Sequence, residues 1–141
     1  MLYEARLINA VEHRDGTTEL ILSKEGRRMA LRYNLEKLQI KKPKQWDKKW
    51  RMVMFDVPER LKKLRRTLHF HLKELDFHQY QKSVFVHPYE CGKEIEFVLE
   101  FYGAKKYVRF VEATHLDNEL HLKSHFHTLS RRKSQKYNYP V

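Results

Sequence analysis

The sequence predicts an α+β fold with elements in the order βαββαβ, preceded by a short β-hairpin and one helix. An apolar run at 52–55 meets a carboxylate at Asp56, and Pro58 then leads into a segment with leucines three or four residues apart. The run is too short for an ordinary helix, so a strand followed by a helix is favoured. Alternating segments at 77–87 and 107–113 flank a second amphipathic stretch. This succession is typical of one antiparallel sheet with both helices on one face.

The first forty residues predict a hairpin followed by a helix. Segments at 6–13 and 18–22 flank an Asp–Gly pair, which favours a tight turn because glycine accepts a positive φ. Apolar residues between 29 and 38 recur at helical spacing, and Ser23 is the expected N-cap.

The later elements follow from the same periodicities. Leucines on one face predict a helix from Pro58 to about Leu75. The other expected elements are strands at Phe77–Gln81 and Ser83–His87, a helix at Lys93–Tyr102 closed by Gly103, a strand at Tyr107–Ala113 and a short edge strand at Glu119–Phe126. Their order is the ferredoxin-like split-βαβ plan.

Composition divides the chain into four parts. Its 141 residues suffice for one domain with a core and a small appendage. The expected parts are a wing-type hairpin and helix at 1–40, a basic linker at 41–49, the ferredoxin-like domain at 50–128 and a basic tail at 129–141. Two tryptophans, Trp46 and Trp50, lie in and beside the linker, and we interpret them as anchors that hold it on a surface.

The charge of the chain indicates its class of partner. Lys and Arg number 29 against 18 Asp and Glu, which leaves a net charge of +11. Clustered cations gain free energy by releasing counterions from phosphates, so an acidic polymer is the expected partner. The single cysteine excludes an internal disulfide framework. We expect a cytoplasmic protein without a membrane partner, because the apolar runs are only a few residues long.

Two segments concentrate the positive charge, the linker and the start of the helix after Pro58. Cations near a helix N-terminus oppose the macrodipole, so they do not serve helix stability there. Three further cations are included: Lys82, between two predicted strands, and Arg131 and Arg132 in the tail. The residues predicted to contact nucleic acid are Lys41, Lys42, Lys44, Lys48, Lys49, Arg51, Arg60, Lys62, Lys63, Arg65, Arg66, Lys82, Arg131 and Arg132.

Two sequence segments carry a family resemblance. FDVPERLKKLRRTL at 55–68 and YQKSVFV at 80–86 resemble the small CRISPR-associated endonuclease called Cas-two here. The longer run WDKKWRMVMFDVPE, preceded by a hairpin and the helix LSKEGRRMALRY, is closer to the PaaX-type transcriptional repressors. Those resemble a winged-helix DNA-binding domain followed by a Cas-two-like domain. The chain starts almost at the wing, so the hairpin and helix are expected to be a winged-helix remnant without its base-reading helix.

The resemblance implies two functions. The first is a homodimer that binds double-stranded DNA as a PaaX-like transcriptional regulator or DNA scaffold. The alternative is a Mg²⁺-dependent endonuclease of the Cas-two family that acts in spacer acquisition with a CRISPR integrase subunit. A toxin-like enzyme that cleaves RNA is a third.

The role of Asp56 distinguishes the DNA-binding regulator from the endonuclease. The Cas-two resemblance implies that Asp56 is both catalytic residue and metal ligand, with two copies holding one Mg²⁺ across a dimer, since one carboxylate is too few for this ion. A structural alternative is an N-cap, because Asp56 and Glu59 have the spacing of a capping box. We interpret the late histidines as surface residues, since no cysteine or acid completes a ligand set around His115, His121, His125 and His127.

Overall fold

The computed structural model describes residues 8–127, with side chains from residue 10 onward. The chain divides into two compact units, and the boundary lies between Leu38 and Gln39. Each unit has its own sheet, of two strands in the first and four in the second.

The first unit is a hairpin followed by a helix, as predicted. Strands β1 (Ile8–Glu12) and β2 (Thr18–Leu22) pair antiparallel. Gly16 takes a φ of 86° in the turn, which costs glycine little. Helix α1 (Lys24–Glu36) begins after Ser23, whose Oγ accepts a hydrogen bond of 3.0 Å from the backbone N–H of Gly26. The prediction of Ser23 as N-cap is confirmed, and the winged-helix interpretation of this unit stays a prediction.

The second unit contains the βαββαβ order. Its strands are β3 (Trp50–Phe55), β4 (His78–Gln81), β5 (Val84–His87) and β6 (Val108–Ala113). Its first two helices are α2 (Lys62–Glu74) and α3 (Gly92–Tyr102), and α3 ends at Gly103, which has a φ of 62°. The strand order is β4-β5-β3-β6, with every neighbouring pair antiparallel. The predicted α+β class and ferredoxin-like plan are confirmed.

Helix α2 covers one face of this sheet. The ring of His69 lies 5.1 Å from the rings of both Phe55 and Phe85, between centroids. Helix α2 is tied to α3 by a hydrogen bond of 2.6 Å between His71 Nε2 and the hydroxyl of Tyr102. This face therefore holds the main core of the domain.

The other face of the sheet is partly covered by the segment at 119–127, which is helical (α4). Its Leu122 is fully buried with Trp50 and Val86, whereas Leu120 is 85% exposed. The prediction of an edge strand at Glu119–Phe126 is wrong. A strand would have placed both leucines on one side, and the helix also brings Glu119 and Lys123 within 3.7 Å as an i,i+4 ion pair.

Candidate nucleic-acid interface

The basic linker is anchored by its two tryptophans. Trp50 is 1% exposed, and its Nε1 donates a hydrogen bond of 3.2 Å to the carboxylate of Glu119. Trp46 meets Trp50 edge to face at 4.9 Å between centroids, and its Nε1 donates to the carbonyl of Lys49 at 3.0 Å. The interpretation of these residues as anchors is confirmed, so the lysines between them are presented on a fixed loop.

Arg51 lies inside the domain and not on its surface. Its side chain is 3% exposed, and its Nη1 donates to the carbonyl of Pro88 at 2.9 Å. Three carboxylates surround the guanidinium, at 2.5 Å for Asp47, 3.3 Å for Glu90 and 3.7 Å for Glu112. The prediction that Arg51 contacts nucleic acid is wrong, because its charge is already neutralised and its donors are out of reach of a phosphate.

Asp47 receives the strongest of these contacts. Its hydrogen bonds from Arg51 lower the pKa of Asp47 to about 2. The same carboxylate accepts a hydrogen bond of 3.0 Å from the backbone N–H of Lys49. Lys48, between them, has a φ of 64°. The only acid of the linker therefore holds the loop through the Arg51 side chain and the Lys49 backbone.

The linker lysines all lie on the surface. The exposed members of this group are Lys41, Lys42, Lys44, Lys48 and Lys49. They belong to the second unit, which begins at Gln39. The anchored loop therefore adds positive charge to the same domain that carries α2.

Helix α2 presents the second group of cations. Leu68 and Leu72 are each 2% exposed and define its buried side. The exposed cations of this helix and of the turn before it are Arg60, Lys62, Lys63, Arg66 and Lys73. Within residues 8–127 none of these five forms an ion pair. Sequence reasoning missed Lys73, although its position seven residues after Arg66 places it on the same stripe.

Arg65 differs from its neighbours on α2. Its side chain is 32% exposed and forms an ion pair of 3.1 Å with Glu59. Arg65 also lines a cleft of about 330 Å³ with Asp56, Glu59, His69 and Lys82. Burial, followed by the charges of Lys73 and Arg65, lowers the pKa of His69. Arg65 and Lys82 are therefore placed beside Asp56.

Asp56 is exposed at the end of β3. Its backbone N–H donates to the carbonyl of Tyr107 at 2.9 Å. The N-cap alternative is wrong, because the caps of the following 3₁₀ turn and of α2 are Pro58 and Leu61, and neither makes a side-chain capping hydrogen bond. The pattern Asp-x-x-Glu was misleading since Pro58 delays the helix.

The metal interpretation of Asp56 finds no support in a single chain. In the described part of the chain, no three His, Cys, Asp or Glu residues are grouped closely enough to hold a metal ion. The cations Arg65 and Lys82 line the same cleft and oppose a divalent cation there. The residues of one copy therefore do not fit Mg²⁺, and the shared site across a dimer stays a prediction.

Of the other predicted residues, one lies in the described part of the chain. Lys82 is exposed between β4 and β5, and Arg131 and Arg132 lie outside the described residues.

Cys91 is 0% exposed, and burial raises its pKa to about 12, which makes it a poor nucleophile.

The late histidines are not all isolated surface residues. His115, His121 and His127 are exposed, but the ring of His78 on β4 lies 4.4 Å from that of His125 and 5.8 Å from that of His121, between centroids. Burial first, and then these two neighbours, lower the pKa of His78. Sequence reasoning missed this cluster because it joins α4 to a strand about forty residues earlier.

The architecture and the sequence can be compared with known proteins. Residues 43–124 match the family model of the PaaX protein central Cas2-like domain, which covers more than half of the chain. The chain belongs to the PaaX family. The match includes every strand of the four-stranded sheet, the cations of α2 and the linker lysines from Lys44 onward, and it confirms the predicted PaaX and Cas-two resemblance. No curated protein matches the sequence. None of the described helices is both long and apolar enough to cross a membrane.

Proposed function

We propose that this PaaX-family chain binds double-stranded DNA as a homodimer and acts as a transcriptional regulator or DNA scaffold. The carrying observation is the group of cations on the exposed side of α2 that form no ion pair within residues 8–127, together with a lysine-rich loop on the same domain. Surface cations without acidic partners are available for phosphates, and each phosphate neutralised releases condensed counterions.

Both cationic groups are held in place by the fold. The loop is fixed by Trp46, Trp50 and Asp47, and α2 is fixed by its packing on the sheet. Fixed cations lose less conformational entropy on binding than cations on a free tail. Phosphate contacts position a protein on a duplex but carry no sequence information. The cationic groups therefore supply affinity and orientation, and base recognition needs other residues.

The dimer is proposed on the open part of the sheet. Met52, Met54 and Val84 are half-buried on the side opposite α2, and Val111 beside them is 37% exposed. Helix α4 covers the end of this face around Trp50, where Met52 packs against the same cluster, and leaves Met54, Val84 and Val111 beyond it. A twofold axis would pair this apolar strip with its own copy, which buries it without another partner. Since β3 ends at Asp56, the two Asp56 carboxylates are then expected near the same axis.

Salt dependence tests the DNA-binding proposal. Fluorescence anisotropy with a labelled duplex of about 30 base pairs would give affinity over a range of salt concentrations. We expect a steep linear fall of log K with log salt, and a slope shallower by about one in Arg66→Gln. Lys105→Gln is the matched control, because Lys105 is exposed on another face and pairs with Glu96 at 3.9 Å. A salt-independent affinity, or equal slopes in both variants, contradicts phosphate contacts through α2.

The enzyme alternative has no observation in its favour. The Mg²⁺ ion and the CRISPR integrase subunit that the Cas-two resemblance implies stay predictions. The cleft at Asp56 supplies two carboxylates and two cations in one chain, so it has no excess of negative charge to attract a metal.

A further inference from the structure

One large apolar side chain lies on the cationic side of α2. Phe70 is 62% exposed, although Leu68 and Leu72 on either side of it are each only 2% exposed. In the described structure, the ring of Phe70 lies 6.1 Å from the ring of His71, between centroids. Phe70 therefore contributes little to the core of the domain.

The four nearest neighbours of Phe70 on the helix surface are two cations, the acid Glu74 and the hydroxyl residue Thr67. Arg66 precedes it by four residues, Lys63 by seven, and Lys73 follows it by three, so all four side chains share one stripe of the helix. An isolated exposed phenylalanine needs no explanation by itself. Phe70 differs because the cations around it have no acidic partners in the described structure, and their charge favours a polyanion over an apolar protein surface.

We propose that Phe70 is a stacking site for an unpaired nucleobase of the bound DNA, with Lys63, Arg66 and Lys73 on the phosphates to either side. This inference rests on the proposed DNA binding and names the kind of DNA that α2 prefers. Aromatic side chains within a basic surface bind unpaired bases in this way, and the stacking tolerates any base because every base has a π-face.

The dimensions of the helix explain why the base must be unpaired. Lys63 and Lys73 are separated by about 15 Å along an α-helix, which spans several phosphates of one strand. An α-helix with its side chains is about 10–12 Å wide, whereas the minor groove is about 6 Å wide. In the major groove, Phe70 would meet the edges of paired bases and not their faces. A bulge, a strand end or a melted step is therefore the expected target.

Two DNA probes test this inference. One is a duplex with a single unpaired 2-aminopurine, and the other is the same duplex fully paired. We expect the wild type to bind the bulged probe more tightly and to quench its 2-aminopurine fluorescence. Phe70→Ala should lose about 5- to 150-fold in affinity for the bulged probe and bind the paired probe as before, and Phe70→Trp should restore both readouts.

A control variant on α4 tests whether any exposed apolar side chain has the same effect as Phe70. Leu120→Ala removes an apolar side chain that is 85% exposed on α4, and it should leave both affinities unchanged. Equal binding of the bulged probe by Phe70→Ala and the wild type overturns the stacking site, while DNA binding itself stands. A wild type that binds neither probe overturns the proposed function as well. Loss of binding to vesicles of anionic phosphatidylglycerol in Phe70→Ala, with DNA binding intact, overturns the inference in favour of a membrane contact.

Discussion

Arg51 and Asp47 form a two-point ion pair, in which Nη1 and Nη2 of the guanidinium lie 2.8 and 2.5 Å from the two carboxylate oxygens. The pair joins the first residues of β3 to the basic linker before it. Arg51 is buried and Asp47 is half-exposed, so a cation inside the domain holds the basic linker on the surface.

Replacing Arg51 should destabilise the domain. Arg51→Met leaves Asp47, Glu90 and Glu112 without their shared partner and removes the hydrogen bond to the Pro88 carbonyl. We expect a loss of roughly 2–4 kcal/mol in the free energy of unfolding, measured with urea. Arg51→Lys should recover little, since an ammonium group cannot form the two-point pair. Lys44→Met, which changes an exposed linker cation, is the control, and an equal effect in both variants would contradict a structural role for Arg51.

Protonation of His78 should lower stability as the pH falls. The pKa of His78 in the folded state is below the usual histidine value of 6.5, so the unfolded chain binds the proton more readily. Its contribution to stability is therefore present above pH 6.5 and is lost as the pH falls through the folded pKa.

Melting temperatures at several pH values between 5 and 7.5 measure this effect. We expect His78→Asn to lose less stability across that range than the wild type. The slope will not vanish, because burial also lowers the pKa of His69 and His71. His115→Asn, which changes an exposed histidine outside the ring cluster, is the matched control. An unchanged pH slope in His78→Asn would refute the prediction.

Asp56 should be dispensable for DNA binding. We expect wild type and Asp56→Ala to bind duplex DNA with affinities within about twofold, since one carboxylate is a small part of the electrostatic total. Neither protein should cut duplex DNA or RNA with Mg²⁺ present, because one chain supplies a cleft with as many cations as acids. Gel analysis of labelled duplexes checks both statements. Cleavage by the wild type that disappears in Asp56→Ala would instead support the Cas-two endonuclease.

A charge on the open sheet face should separate the proposed dimer. Met54 is half-buried beside Val84, on the face that α2 does not cover. Met54→Asp would place an unpaired carboxylate inside the apolar contact and should yield monomers in analytical ultracentrifugation. Leu120→Asp, at an 85% exposed position on α4, should leave the dimer intact. A wild type that sediments as a monomer would remove the dimer from the proposal.

Local sequence rules predicted much of this fold. Gly16 and Gly103 have the positive φ angles expected of a hairpin turn and a helix end, and the Ser23 cap follows from its side chain alone. Such features depend on a few neighbouring residues. The edge strand at Glu119–Phe126 failed for the converse reason, because a short apolar pattern fits either a strand or a helix and tertiary packing of Leu122 decides.

The candidate site was predicted less completely, since long-range pairing determines it. The sequence predicted Arg51 to be a surface cation. The register of β3 with β6 instead places Glu112 opposite it. Phe70 was overlooked, although its helical spacing groups it with Arg66 and not with Leu68 and Leu72, and its exposure agrees with that spacing. Charge and periodicity identify which segments are basic and helical, but they do not identify which cations pair with acids that are distant in the sequence.

The burial of Cys91 has a practical consequence for spectroscopy. It is the only cysteine in the chain, it is fully enclosed, and its high pKa keeps the sulfur protonated at neutral pH. Maleimide dyes react with the thiolate, so the native thiol should stay unlabelled while the domain is folded. A cysteine introduced on the outer side of α2 would then accept a single fluorophore without removal of the natural one.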